Sequence, residues 1–355
     1  MSRVFVCGCG AVSPAGWGVA ALGDALTRGK PVETNEIPIP GSTRRLRVRS
    51  VPPTQSGPPA HSRLRRTSPI SRYAMAAAFE ALGLRATSVS QASPAEPSWG
   101  RGLGVIFCSM VGCVNYSRRF YDETLKEPAT ASPLVFPETV LNAPSSHLAA
   151  VLGTSSINYT LGGDPGTFLQ AVALAGHWLS SGRVDGCLVV GAEELDWLTV
   201  DAVPLFDPEV IVSEGAGALY LKREPPSGVA IELEAVTHAH LFGTGQSRAR
   251  AAHRARAQME NIDAAKTTLC DGAQGAPRLD EDERGAWQNW RGKRISPKTV
   301  LGEGYMAAAA WQCVIARQQI ALRGCDSAIV SVVGCNQQAI AARFGRPVDA
   351  KGARP

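Results

Sequence analysis

The stretch TLGGDPGTFLQAV (Thr160–Val172) follows a strand-like lead-in, Ile157-Asn158-Tyr159, and runs directly into a helical pattern. A tight glycine turn between a strand and a helix presents its residues to the helix's positive N-terminal end, where a nucleophile or an anion is stabilised. The turn holds Gly162, Gly163, Asp164 and Pro165, and none of these is a nucleophile. Asp164 at the start of a helix reads as an N-terminal charge or cap. Other reactive residue types are dispersed. Cys108 and Cys270 lie in apolar runs, where burial raises a thiol's pKa and leaves it as inert packing. His147 falls on a helical stretch and reads as a hydrogen-bonded structural histidine. His238 and His240 alternate on a strand pattern without a third ligand, and Cys7-x-Cys9 lacks a second pair to complete a tetrahedron, so no metal site is expected.

The elements that must position this turn are legible as short apolar runs. Val4–Cys7, Leu103–Cys108, Cys187–Val190, Ala218–Leu221, Val229–Leu233 and Ala328–Val333 are rich in β-branched residues, as strands covered on both faces are. They predict a buried, largely parallel sheet. Helical patterns alternate with them over Val19–Thr27, Ile70–Leu82, Thr139–Leu152, Phe168–Leu179, Gln246–Met259 and Met306–Leu322, giving an α/β fold with helices on both faces. Lys30–Pro59 and Ala86–Gly100, rich in Pro, Ser and Thr, read as mobile surface loops outside the chemistry. The element order of residues 1–222 loosely repeats in 229–345, as if one βα layer set were duplicated.

The 355 residues, 45% hydrophobic, suffice for a large buried core. Nine cysteines, an odd count with no export signal at the start, point to the reducing cytoplasm. No stretch is long enough to span a bilayer. The net charge of +5 is unevenly spread, with basic clusters at Arg44–Arg49, Arg63–Arg66 and Arg248–Arg256. No aromatics are interleaved for base stacking, so nucleic acid is not the expected partner. A small acidic protein suits such a field better.

Several segments, in their order along the chain, resemble the β-ketoacyl synthases of the thiolase fold. VFVCGCGAVSPAGWGVAALGDALTRGK is similar to that family's opening strand, Gly-rich turn and first helix. SRYAMAAAFEALG resembles the helix before the next strand, and LNAPSSHLAAVLG the segment before the nucleophile strand. DGCLVVGAEEL and PLFDPEVIVSEGAGALYLKRE look like the strands and glycine-rich hairpin that follow, with Ser213 in place of the hairpin's first glycine. ISPKTVLGEGYMAAAAWQCVIA resembles the lysine-containing turn and helix of the second half. The resemblance implies duplicated halves, 1–224 and 225–355, in one compact five-layered α-β-α-β-α unit, and it implies no cofactor.

In that family a cysteine carries the acyl chain and two histidines stabilise the enolate formed as malonyl loses carbon dioxide. Aligning Thr-Ala-Cys-x-Ser-Gly with Leu161–Gly166 puts Gly163 at the nucleophile. The histidine of Ala-His-Gly-Thr-Gly-Thr falls on Asp271, and that of the Gly-His after the lysine turn on Glu303; of the catalytic set, Lys298 remains. Carboxylates at 271 and 303 would repel a developing oxyanion. A glycine instead of glutamine at 163 also argues against decarboxylation, and Gly334–Gln338 replaces a Gly-Phe-Gly-Gly turn, so no gating role is expected there. A chain with this loss resembles the chain-length factor of type II polyketide systems. Its compactness suits reduced or polyene products, aryl polyenes among them.

The resemblance implies a heterodimer with an active ketosynthase, working on an acyl carrier protein that docks mainly on the partner. The side chains expected to line the tunnel or interface lie in SMVGCVNYSRRFYDETL and SPLVFPETV: Met110, Gly112, Cys113, Tyr116, Phe120, Phe136 and Pro137. At helical spacing Gly112, Tyr116 and Phe120 share a face. Two alternatives stand beside this reading: a thiolase-fold acyltransferase or hydrolase with a relocated nucleophile such as Cys270 or Ser145, and a homodimeric acyl-binding regulator.

Overall fold

In the computed structural model, which describes residues 3–53, 62–84 and 102–347, most of the apolar runs become strands of one large sheet, while the run Val229–Leu233 is strand only from Glu232 and is only partly covered. The first half runs β1 (Phe5–Ser13), β2 (Gly16–Trp17), α1 (Val19–Arg28), β3 (Asn35–Pro38), β4 (Arg45–Arg49), α2 (Pro69–Ala81), β5 (Leu103–Ser109) and α3 (Val114–Lys126). It continues through α4 (Ala143–Leu152), β6 (Asn158–Gly162), α5 (Thr167–Ser180), β7 (Gly186–Glu193), α6 (Trp197–Ala202), β8 (Val212–Ser213) and β9 (Gly215–Lys222). The second half holds β10 (Glu232–Val236), β11 (His240–Leu241), α7 (Arg248–Ala257), β12 (Thr267–Cys270), α8 (Pro277–Ala286) and β13 (Arg294–Ile295). It ends with α9 (Pro297–Leu301), α10 (Tyr305–Ala321), β14 (Ser327–Val333) and β15 (Gln338–Gly345).

The duplication is visible in the strand order. Numbering the main strands of each half from one to five, both sheets read 3-2-4-5-1: β6-β5-β7-β9-β1 and β13-β12-β14-β15-β10. In both, strands 3, 2 and 4 are parallel, and strand 5 is antiparallel to its two neighbours. The halves join edge to edge where β1 meets β10, Phe5 opposite Glu232. The expectation of a largely parallel sheet is therefore corrected: the returning fifth strands make it mixed, and burial on both faces gives them the same continuous apolar sequence as parallel strands.

Helices α2 and α4 cover the outer face of the first sheet, α7 and α8 lie on the outer side of the second, and α5 and α10 sit between the sheets, giving five layers. α10 touches strands of both halves and is buried along nearly its whole length. Its Trp311 is fully buried, and the indole Nε1 donates to the carbonyls of Val12 (3.0 Å) and Ala216 (2.9 Å).

Part of the supposed loop Lys30–Pro59 is ordered as the β3–β4 hairpin, whose second strand pairs with β8 and whose Ile39, Leu46 and Val48 are buried with Val200 and Val212. The apolar alternation in RLRVR is brief, and only tertiary pairing makes it a strand. Ala86–Gly100 lies outside the described residues. The helix expected from Thr139 starts at Ala143, with Pro144 in its first turn. Among the described residues no helix is long and apolar enough to cross a membrane.

Trp311→Ala should cost about 3–5 kcal/mol, read as a lower urea midpoint. Trp311→Phe should recover much of this by refilling the volume, while leaving both carbonyls without their shared donor.

Candidate functional site

β6 delivers the chain to the elbow, and α5 leaves it. A Cβ built on Gly163 would lie 2.6 Å from Thr167 Oγ1, closer than a real side chain can sit, and Gln338 Nε2 holds that hydroxyl by donating to it at 3.1 Å. A side chain at 163 would therefore have to displace the Thr167 hydroxyl. Asp164 corrects the expectation of a helix cap: no side chain caps α5. Its buried carboxylate instead accepts the backbone N–H groups of Cys335 (3.0 Å), Gln337 (3.2 Å) and Gln338 (2.9 Å).

The other positions singled out from the sequence lie in the second half of the chain. Asp271 follows β12, Lys298 lies in α9 and Glu303 just before α10, all buried. Lys298 Nζ donates to Glu303 Oε2 at 2.6 Å, and Glu303 Oε1 accepts the Tyr305 N–H at 2.7 Å. Asp271 Oδ1 accepts from Ser296 Oγ at 2.6 Å, and Oδ2 lies 3.1 Å from an Arg294 nitrogen. The carboxylates expected to act as bare negative charge are thus each paired with a cation, which corrects the simple sign reversal. Burial pulls the Lys298 pKa down, but Glu303, with Glu283 behind it, outweighs this and leaves the ammonium above its usual value. Burial raises Asp271 in spite of Ser296 and Arg294. Lys298 is committed to an internal ion pair.

Beside this cluster opens a mainly apolar cleft of about 260 Å³, lined among others by Met110, Phe206, Leu279, Tyr305, Glu303 and Cys335. Of the seven tunnel or interface residues anticipated from the sequence, Met110 alone reaches it. Gly112 precedes α3 in a turn at φ 66°, so it shares no helical face with Tyr116 and Phe120, contrary to the periodicity reading. Cys113 is buried at the helix start, its thiol directed at the Val140 carbonyl. Tyr116 lies beside Arg119, and Phe120 packs on Phe136 with ring centroids 5.3 Å apart. Phe136 is exposed beside Pro137, as are Tyr121, Leu125, Leu134 and Leu141 on the neighbouring segments of the chain.

No family model matches the chain, and no curated protein matches it in sequence. Solved structures match along the full length. The ishigamide ketosynthase/chain length factor has a TM-score of 0.76 at 19% identity, over 97% of this chain and 99% of that one. A β-ketoacyl synthase from Burkholderia phymatum STM815 reaches 0.78 at 17% identity, over 98% and 100%. A type II polyketide synthase acyl-carrier protein in complex with its ketosynthase, bound to the hexaketide, gives 0.72 at 16%, over 98% and 99%. The chain has the thiolase fold of the ketosynthases.

Within this ketosynthase fold the relocated nucleophiles find little support. Cys270 is fully buried, and desolvation with the neighbouring Asp271 charge raises its thiol well above the usual range. Cys108 is raised likewise by burial and by Glu193. Ser145 Oγ is engaged by the Asn142 carbonyl (3.0 Å) and Thr160 Oγ1 (2.9 Å). His147 bonds Glu138 through Nε2 at 2.9 Å, the structural role expected of it.

Sequence reasoning missed three carboxylates that hold the loops of the site. Glu193 accepts Ser109 Oγ (3.0 Å) and the N–H groups of Met110 (2.6 Å) and Val111 (3.1 Å), fixing the cleft wall. Glu194 accepts the Ile70 and Asn115 N–H groups, and Glu214 those of Val51 and Leu195. For Glu193 and Glu194 the signal was present in Ala-Glu-Glu-Leu: an acid ending a fully buried strand and another directly after it are costly unless donors meet them.

Burial pushes the Glu193 carboxyl up to about 8, against about 4.3 in the unfolded chain. A raised folded value means that the stability it contributes is complete below the unfolded pKa and is lost as pH climbs toward the folded one. Stability should therefore fall between about pH 5 and about pH 8, by at most about 1.4 kcal/mol per pH unit for this one group. Urea titrations across that range should show the slope, and Glu193→Gln should flatten it.

Proposed function

We propose that this chain is a non-catalytic ketosynthase-like subunit, a chain-length factor that pairs with an active ketosynthase and limits acyl extension on an acyl carrier protein. The single observation that carries the reading is the elbow: strand, turn and helix persist, while Gly163 offers no nucleophile and a side chain there would have to displace Thr167 Oγ1. Lys298 is held by Glu303, and no imidazole stands at 271 or 303, so neither carbanion formation nor oxyanion stabilisation has its usual donors. The halves 1–224 and 225–355 would act as one unit within a two-subunit acyltransferase complex.

Pairing is supported by the surface next to the elbow. Among the described residues β6 has no neighbour on its outer edge, and its Tyr159 is exposed. The exposed Phe136, Leu134, Tyr121 and Leu125 add a run of large apolar side chains such as monomers seldom leave uncovered. A subunit of the same fold, presenting its own elbow edge, is the complementary partner, as the pairing named in the ishigamide ketosynthase/chain length factor suggests. Met110, held by Glu193, is the side chain best placed to limit chain length, because overpacking costs about 1–3 kcal/mol per misfit. The carrier protein would dock mainly on the partner.

Co-expressed with a cysteine-bearing ketosynthase, the chain should purify as a one-to-one pair, and Phe136→Asp should weaken that pair at least tenfold, since removing a central aromatic anchor costs about 2 kcal/mol or more. Alone, with a malonyl and an acyl carrier thioester, it should form no extended product; two-carbon extension by the isolated chain would overturn the reading. Gly163→Cys should leave it inactive and less stable by about 1–3 kcal/mol, because the new side chain must displace Thr167.

A further inference from the structure

The cleft beside Met110 holds an acid that the fold leaves half used. Asp207 follows the 3-10 turn Val203–Leu205, and its N–H donates to the Val203 carbonyl at 3.1 Å. The residue is 3% exposed and lines the cleft. Its Oδ1 accepts the Glu209 N–H at 2.9 Å, and among the described residues no cation and no second donor meets the carboxylate. An asparagine would close that turn equally well, so the charge has no use within the fold, although a buried carboxylate without a counter-charge is costly.

Gln274 gives the cleft a second unused acceptor. Its backbone N–H is fixed by Asp280 Oδ1 at 2.9 Å, whereas its side-chain Oε1 is buried without a partner. Among the described residues the lining includes two acids, Asp207 and Glu303, and no Lys, Arg or His. Glu303 is held by Lys298 and by the Tyr305 N–H, which leaves Asp207 as the charge an incoming molecule meets. The remaining walls are mostly apolar, Val203, Phe206, Val210 and Leu279 among them. A volume of about 260 Å³ lies just below the ~300–1,000 Å³ usual for small-molecule pockets, so the occupant is short. Apolar walls, acceptors without donors and an unpaired negative charge together fit a short apolar body bearing an ammonium group, and they reject a carboxylate.

We propose that this cleft binds a short apolar primary amine, with the ammonium group on the Asp207 carboxylate. Binding is a property of this chain alone. Its extension to substrates, that the acyl chains admitted here end in an amino group, rests on the proposed function.

Titration calorimetry of the purified chain at neutral pH with n-hexylamine, 1-hexanol and sodium hexanoate tests this. Hexylamine should bind about tenfold or more tightly than hexanol, because a hydrogen bond to a charged group adds to the apolar contacts the two share. Hexanoate should bind more weakly than either. Asp207→Asn keeps an acceptor for the Glu209 N–H and removes the charge, so it should bind hexylamine and hexanol about equally. Met110→Trp, which fills the cleft, should weaken both. Equal affinity of the parent for amine and alcohol, hexanoate binding as tightly as the amine, or an amine affinity unchanged in Asp207→Asn or in Met110→Trp would overturn the proposal. Should Asp207→Asn not fold, the parent's order of affinities and the Met110→Trp titration decide. Pairing is read by co-purification and amine binding by calorimetry of the single chain, so the failure of either leaves the other standing.

Discussion

The burial of α10 between two sheets is the constraint on which the rest of the molecule depends. A helix covered on every side must be apolar all round and narrow where strands approach, and Met306-Ala-Ala-Ala-Ala-Trp311 meets both demands. Gly217 on β9 faces Ala310 so closely that a Cβ there would lie 2.6 Å from the alanine Cβ. Because α10 touches strands of both halves, its position relates the first sheet to the second. Glu303 and Tyr305 at its N-terminal end inherit that rigidity, and they form one wall of the cleft.

Around this core, buried carboxylates hold backbone rather than carry chemistry. Glu193, Glu194, Glu214 and Asp164 each accept two or three N–H groups from loops remote in sequence. Asp280 does the same for Gln274 and Gly275 in the loop after β12. Each acid supplies acceptors for loop donors that would otherwise be buried without partners. The result is a site whose outline is rigid and whose acids, Asp207 apart, are already engaged. An active condensing site needs its polar groups free to meet a substrate; here Lys298, Glu303, Asp271 and Asp164 all meet one another or the protein's own backbone.

The proposed role follows from that engagement. A non-catalytic subunit of the kind proposed can still contribute an apolar surface and a wall, and Phe136, Leu134, Tyr121 and Leu125 are exposed. The cleft near Met110 and the exposed face near Phe120 and Phe136 are separate features. Limits on chain growth and pairing of subunits would therefore rest on different residues.

The sequence by itself determined most of the buried strands, though not β12 or β15, and the main helices between them, the repeated element order, the strand-turn-helix elbow and the absence of cysteine and histidine at 163, 271 and 303. These are local facts, carried by apolar periodicity and by residue identity. Tertiary structure alone decided which strands turn back antiparallel, that RLRVR joins a sheet, that Gly112 lies outside the helix, and that Asp164 serves a turn 171 to 174 residues further along the chain. A carboxylate's role is set by the donors that reach it, and those come from segments whose separation in sequence says nothing of their distance in space.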